Sequence, residues 1–185
     1  MVSSTVTSSK TVSDHIISFL EEKGIDHVFT VSGGGSIFLC DAVQRAKRMK
    51  YVACHHEQAA AYAGEGYARA RNGSGCVLVT SGPGGTNAVS GAAAAWLDGI
   101  PVFFISGQAF IRHTITGHEG LRQLGVQEIN IIDIVKPITK YAIMLTHSGK
   151  DYVQHHLDLA WKHMTTDRKG PVWLDIPGDV QNARI

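Results

Sequence analysis

The run Cys76-Val77-Leu78-Val79-Thr80, followed by Ser81-Gly82-Pro83-Gly84-Gly85-Thr86-Asn87 and then by Ala88-Val89-Ser90-Gly91-Ala92-Ala93-Ala94-Ala95-Trp96-Leu97, decides the fold. The first four residues are apolar without alternation and Thr80 closes the run, which marks a strand covered on both faces. The last ten are apolar nearly all round, as in a helix sunk in a core. The seven between them are rich in glycine and read as a loop. Strand, glycine loop and buried helix together make half of a parallel β–α–β unit.

The same alternation extends in both directions. Short apolar runs at 27–31, 51–54, 101–106, 138–143 and 172–176 predict five more strands. Helical periodicity begins at Thr11, with Val12, Ile16, Phe19 and Leu20 on one face and Gly24 as the stop. Further helices are predicted over 37–47, 56–71 and 150–164. In the last of these, Val153, Leu157, Ala160, Trp161 and Met164 form one stripe. Residues 107–130 carry no clear period, and 129–135 suggests a short helix. Right-handed crossovers between such strands give an α/β fold: a doubly wound, mostly parallel six-stranded sheet with helices on both faces. Residues 1–10 read as a frayed tail and 11–185 as a single domain.

Composition narrows the function. The chain has 185 residues, 44% of them hydrophobic and 18% charged, with a net charge of +1. That balance supplies no electrostatic reason to bind nucleic acid or an anionic membrane. The N-terminus lacks an apolar signal core, and no run approaches a membrane span. Three widely spaced cysteines, Cys40, Cys54 and Cys76, suit reduced thiols in the cytoplasm better than a disulfide framework. Glycine is in excess, at 20 residues.

Several motifs fail on spacing. A dinucleotide fingerprint starts at Gly82 and Gly84, but its last position is Asn87. A phosphate loop would need glycine at Met144 ahead of Gly149-Lys150. His56-Glu57 and His118-Glu119 each begin a zinc-protease motif and end in Ala60 and Arg122. The helix over 56–71 is more informative. Glu57, Ala61, Gly64 and Ala68 fall on one face, and small residues there allow another backbone to come close. That face is either an internal packing surface or a subunit interface with a lone carboxylate at its edge. Such a carboxylate is suited to sharing a proton with a bound heteroaromatic base.

The ordered motifs resemble one family. They are Val28-Phe29 with a glycine turn after it, His56-Glu57-Gln58-Ala59-Ala60, Gly66-Tyr67-Ala68-Arg69, Thr80 to Asn87, Ser106-Gly107-Gln108, Val126-Gln127-Glu128, Lys136-Pro137-Ile138-Thr139-Lys140, and Asp175-Ile176-Pro177 with Asp179-Val180-Gln181. Together they look like the N-terminal pyrimidine-binding (PYR) domain of thiamine diphosphate-dependent enzymes, in the acetolactate synthase-like branch. The resemblance implies that Glu57 bonds N1′ of the cofactor aminopyrimidine and so activates it. It implies that Ser32, Gly33 and Gly34 lie beside the pyrimidine. Thr80, Pro83 and Asn87 would line its pocket, and Gln127 would face the substrate.

Three stretches depart from that branch, one of them Phe110 to Arg122, which looks longer and more polar. Thr30-Val31-Ser32-Gly33-Gly34 stands where Gly-Tyr-Pro-Gly-Gly is usual, and Val126 stands where Phe is usual. The resemblance thus leaves donor and acceptor open within the 2-oxo acid class. The family holds diphosphate and Mg²⁺ through a Gly-Asp-Gly motif on a second (PP) domain, and this sequence contains none. The resemblance therefore implies half an active site, completed by a PP domain on another subunit or chain, in a homo-oligomer. Two other classes stay open: a non-catalytic assembly module of the same fold, and a dinucleotide-binding oxidoreductase domain.

Overall fold

The computed structural model describes residues 10–118 and 120–185. Glu119, of the rejected His118-Glu119 pair, lies outside the described residues. So does the tail expectation, except at Lys10, whose carbonyl accepts from the Ile185 amide at 2.9 Å.

In chain order the main elements are α1 (Val12–Glu22), β1 (His27–Thr30), α2 (Ile37–Arg45), β2 (Lys50–Ala53), α3 (Glu57–Arg71), β3 (Gly75–Val79), α4 (Pro83–Asp98), β4 (Val102–Gln108), α5 (Ile131–Val135), β5 (Tyr141–Met144), α6 (Lys150–Thr165), β6 (Val172–Pro177) and α7 (Gly178–Asn182). The six strands form one sheet in the order β2-β1-β3-β4-β6-β5, and every pairing is parallel. The predicted doubly wound sheet is present.

Alternation along β3 shows why its residues are apolar on both sides. Cys76 and Leu78 enter one core with α1, α2 and α6, beside Ile16, Leu39 and Leu157. Val77 and Val79 enter the other with α3, α4 and α5, beside Ala61, Ala92 and Ile131. Phe104 of β4 and Trp173 of β6 stack in that second core with ring centroids 5.0 Å apart. Helix α1 starts where expected. The Thr11 side chain accepts from the Asp14 amide, and the Asp14 carboxylate accepts from the Thr11 amide.

The stripe on α3 packs inside the domain. A Cβ on Gly91 of α4 would stand 2.4 Å from Cβ of Ala61, and one on Gly64 would stand 2.5 Å from Cγ2 of Val77. The subunit-interface reading of that face is thereby corrected. The small residues bring α3 against α4 and β3, while Gln58, Ala59, Tyr62 and Gly66 face outward.

Other differences are local. Pro83 opens α4, so Gly84, Gly85, Thr86 and Asn87 are its first helical turns rather than a loop. Proline suits the first helical position because no amide bond is lost there. Strand β5 starts later than expected because Lys136–Ile138 coils into a 3₁₀ turn around Pro137. Helix α7 was not anticipated. Cys40, Cys54 and Cys76 are free thiols. Among the described residues no helix is long and apolar enough to cross a membrane.

Candidate functional site

From β1 the chain turns to α2 on one face of the sheet, and from β3 it turns to α4 on the other. The two strands are neighbours, so their outgoing turns part and leave a crevice at the carboxyl ends of the strands. Thr80 sits at its centre. Its hydroxyl accepts from the Gly35 amide at 3.0 Å. A Cβ on Gly33 would come within 2.6 Å of the Thr80 side chain, and one on Gly84 within 2.7 Å of its methyl. A side chain at either glycine would have to displace Thr80, so both turns pack directly on it.

Glu57 enters the crevice from the first position of α3, after the His56 cap. It is half-buried rather than enclosed. Its Oε2 accepts from Asn87 Nδ2 at 2.9 Å. Its Oε1 lies 3.8 Å from where a Gly84 Cβ would be, and glycine there keeps the approach to that oxygen open. Ser32, Gly34 and Pro83 are exposed at the mouth.

Gln127 reaches the crevice by its backbone. Gly82 has φ +57°, and a Cβ there would lie 2.1 Å from the Gln127 carbonyl oxygen. The space beside the start of α4 is therefore filled by protein, which removes the room that a dinucleotide pyrophosphate would need. Next to the crevice lies a cleft of about 400 Å³, lined among others by Gly34, Ser81, Phe110 and Val126.

Supporting residues escaped the sequence reading of roles, although several lie in the motifs quoted above. Gln181 is fully buried, and its Nε2 donates to the carbonyls of Gly35 and Ile176, each at 2.6 Å. It ties the first glycine turn to the end of β6. Asp175 is buried in the middle of β6, where Ser106 Oγ donates to Oδ1 at 2.6 Å and Gln108 Nε2 donates to Oδ2 at 2.9 Å. Burial pushes its carboxyl up to about 7, against the opposing effect of those two bonds. A polar residue inside an otherwise apolar strand was the available signal. Tyr67 and Arg71 both donate to Asp26 Oδ1 at 2.6 Å, fastening α3 to the entry of β1 and holding the Asp26 carboxyl well below the usual range.

Residues 10–134 match the family described as thiamine pyrophosphate enzyme, N-terminal TPP binding domain. Along nearly the whole chain there is also similarity to acetolactate synthases. The large subunit from Haemophilus influenzae is 33% identical over 170 residues, which is 92% of this chain and 28% of that protein. The enzyme from Arthrospira platensis is 36% identical over 173 residues, again 92% of this chain and 28% of that protein. The chloroplastic enzyme from Arabidopsis thaliana is 35% identical over 170 residues, 91% of this chain and 24% of that protein. The chain thus spans roughly a quarter of the length of the curated relatives it matches. With its parallel sheet and its crevice at the β1–β3 switch point, the chain belongs to the thiamine pyrophosphate enzymes, as an N-terminal TPP-binding domain of the acetolactate synthase-like kind.

Proposed function

We propose that this chain supplies the pyrimidine half of the active site of a thiamine diphosphate-dependent decarboxylase or carboligase acting on a 2-oxo acid. The observation that carries the reading is the Glu57–Asn87 pair, set beside the two glycine turns that Gly33 and Gly84 allow to close on Thr80. When bound, the cofactor supplies an electron sink for breaking and making carbon–carbon bonds next to a carbonyl.

The chain's own residues do the following. Asn87 Nδ2 donates to Glu57 Oε2 and fixes the carboxylate plane. Glu57 Oε1 is then the oxygen that gives and takes a proton at N1′ of the pyrimidine, which is general acid–base work exercised through the cofactor. Thr80 holds the Gly35 amide and so sets the width of the crevice. Ser32, Gly34 and Pro83 flank its mouth, and the neighbouring 400 Å³ cleft, lined by Val126 beside Gln127, receives the 2-oxo acid.

Diphosphate and Mg²⁺ are assigned to a PP domain on another subunit or chain, since no Gly-Asp-Gly motif occurs here. The exposed Tyr62 on α3 and Trp96 and Leu97 on α4 support burial against a partner domain in a homo-oligomer. The three free thiols fit a cytoplasmic site of action.

The test is Glu57→Gln in the complete enzyme. Exchange of the cofactor's C2 proton for deuterium is expected to fall by at least a hundredfold with cofactor still bound. Unchanged exchange would leave a non-catalytic module of the same fold as the better description.

A further inference from the structure

Among the described residues, 109–118 and 120–130 contain one short 3₁₀ turn, Ile111–His113, and are otherwise irregular. Side-chain acceptors hold this segment where regular structure does not. The principal one is Glu128, only 8% exposed. Its Oε1 accepts from the Ile115 amide at 2.7 Å. Its Oε2 accepts from the Leu124 amide at 2.9 Å, and the Gly125 amide points at the same oxygen from 3.4 Å. One carboxylate therefore gathers both ends of the excursion between Ile115 and Gly125. Bonds from amides to an ionised acceptor are stronger than neutral ones.

The next residue is held as well. The Ile129 carbonyl accepts from Gln108 Nε2 at 2.9 Å, and the same amide donates to the buried Asp175. The two residues after Gln127 are thus both held, Glu128 to the amides of its own segment and Ile129 to Gln108 at the end of β4. Gln127 itself has φ +54°, a left-handed conformation that a non-glycine residue keeps only where its surroundings impose it. In that conformation its carbonyl abuts Gly82, at the threshold of α4. Val126, just before it, is 88% exposed.

We infer that Glu128 is a positioning residue: its carboxylate is the clamp that holds the Val126-Gln127 tip in its left-handed turn over the glycine crevice. What the tip faces rests on the 2-oxo acid reading above; the clamp itself does not. Releasing it frees the tip without touching Glu57 or Asn87.

The experiment uses the full-length protein that contains this chain, as wild type, Glu128→Gln and Glu128→Ala. Amide hydrogen–deuterium exchange is followed by mass spectrometry, and turnover is followed with pyruvate as the probe. In Glu128→Ala, exchange over residues 114–128 is expected to rise at least tenfold, with the β3 and β4 peptides unchanged. KM for pyruvate is expected to rise at least fivefold while kcat falls less. Glu128→Gln, which keeps the shape and one acceptor oxygen, should recover part of both effects. It carries the test alone if the alanine variant does not fold.

Unchanged exchange over 114–128 overturns the inference. So does equal acceleration in β3 and β4, the mark of general destabilisation. Failure of the thiamine reading shows elsewhere, as normal C2 exchange in Glu57→Gln. The amide-exchange measurement needs no cofactor and decides the clamp in either case.

Discussion

At the scale of single residues the site rests on one polar contact and on missing side chains. Asn87 removes one rotational freedom from Glu57 by holding Oε2 at 2.9 Å. A hydrogen bond to a charged group contributes about 1.5–3 kcal/mol. Asn87→Ala in the complete enzyme is therefore expected to lower the melting temperature by several degrees and kcat roughly ten- to a hundredfold, as read by thermal unfolding and steady-state kinetics. Gly84 acts by what it lacks: Gly84→Val is expected to abolish cofactor binding in calorimetry, because even its Cβ meets the Thr80 methyl. A third residue-level outcome concerns the thiols. Burial pushes the Cys76 thiol up to about 12, so almost no thiolate exists at neutral pH. Iodoacetamide should leave Cys76 unmodified in the native protein and label it only after denaturation, with peptide mass spectrometry as the readout.

At the scale of elements the decisive contact is α3 against α4. These helices carry the proposed acid–base carboxylate and the amide that holds it, Glu57 at the start of α3 and Asn87 near the start of α4. Their separation is set by Ala61 against Gly91, where no further atom fits. Gly91→Ala adds one methyl to a filled space, and overpacking of that kind costs about 1–3 kcal/mol. For a domain of this size that corresponds to a fall of roughly 3–10 °C in melting temperature. Differential scanning calorimetry checks it, and wedging the helices apart should weaken the Glu57–Asn87 bond as well. The small-residue stripe was legible in the sequence, but its partner was not. Periodicity shows which residues share a face; it carries no information about whether the backbone that approaches belongs to the same chain. The boundary of α4 was hidden for a related reason. Glycines discourage a helix by their conformational entropy, and here the tertiary contacts of Gly84 and Gly85 outweigh that cost.

At the scale of the whole molecule, Asp175 couples pH to stability. Its carboxyl has an ordinary value of 3.8, and burial raises it to about 7 in the folded protein. A group raised by folding keeps its proton in the native state. Between about pH 4 and pH 7 the native state therefore binds more protons than the unfolded one, and stability falls as pH rises through that window. Urea unfolding at intervals from pH 4.5 to 8 should show a loss of roughly 1 kcal/mol per pH unit, levelling off above 7. Asp175→Asn has no proton to lose and should lack that slope. Hydrophobic pattern by itself determined the six strands, their burial on both faces and hence the parallel doubly wound sheet, because period and burial are local properties of a chain whose strands must be covered twice. The ordered motifs likewise placed Glu57, Asn87 and the glycine turns in one family. Tertiary structure alone decided that Thr80 is the hinge between the two turns, that Gln127 reaches the site by its backbone, and that Glu128, Gln108 and Asp175 hold it there. Those contacts join residues far apart in the chain through bonds that depend on distance and direction, and neither quantity is written in the order of the residues.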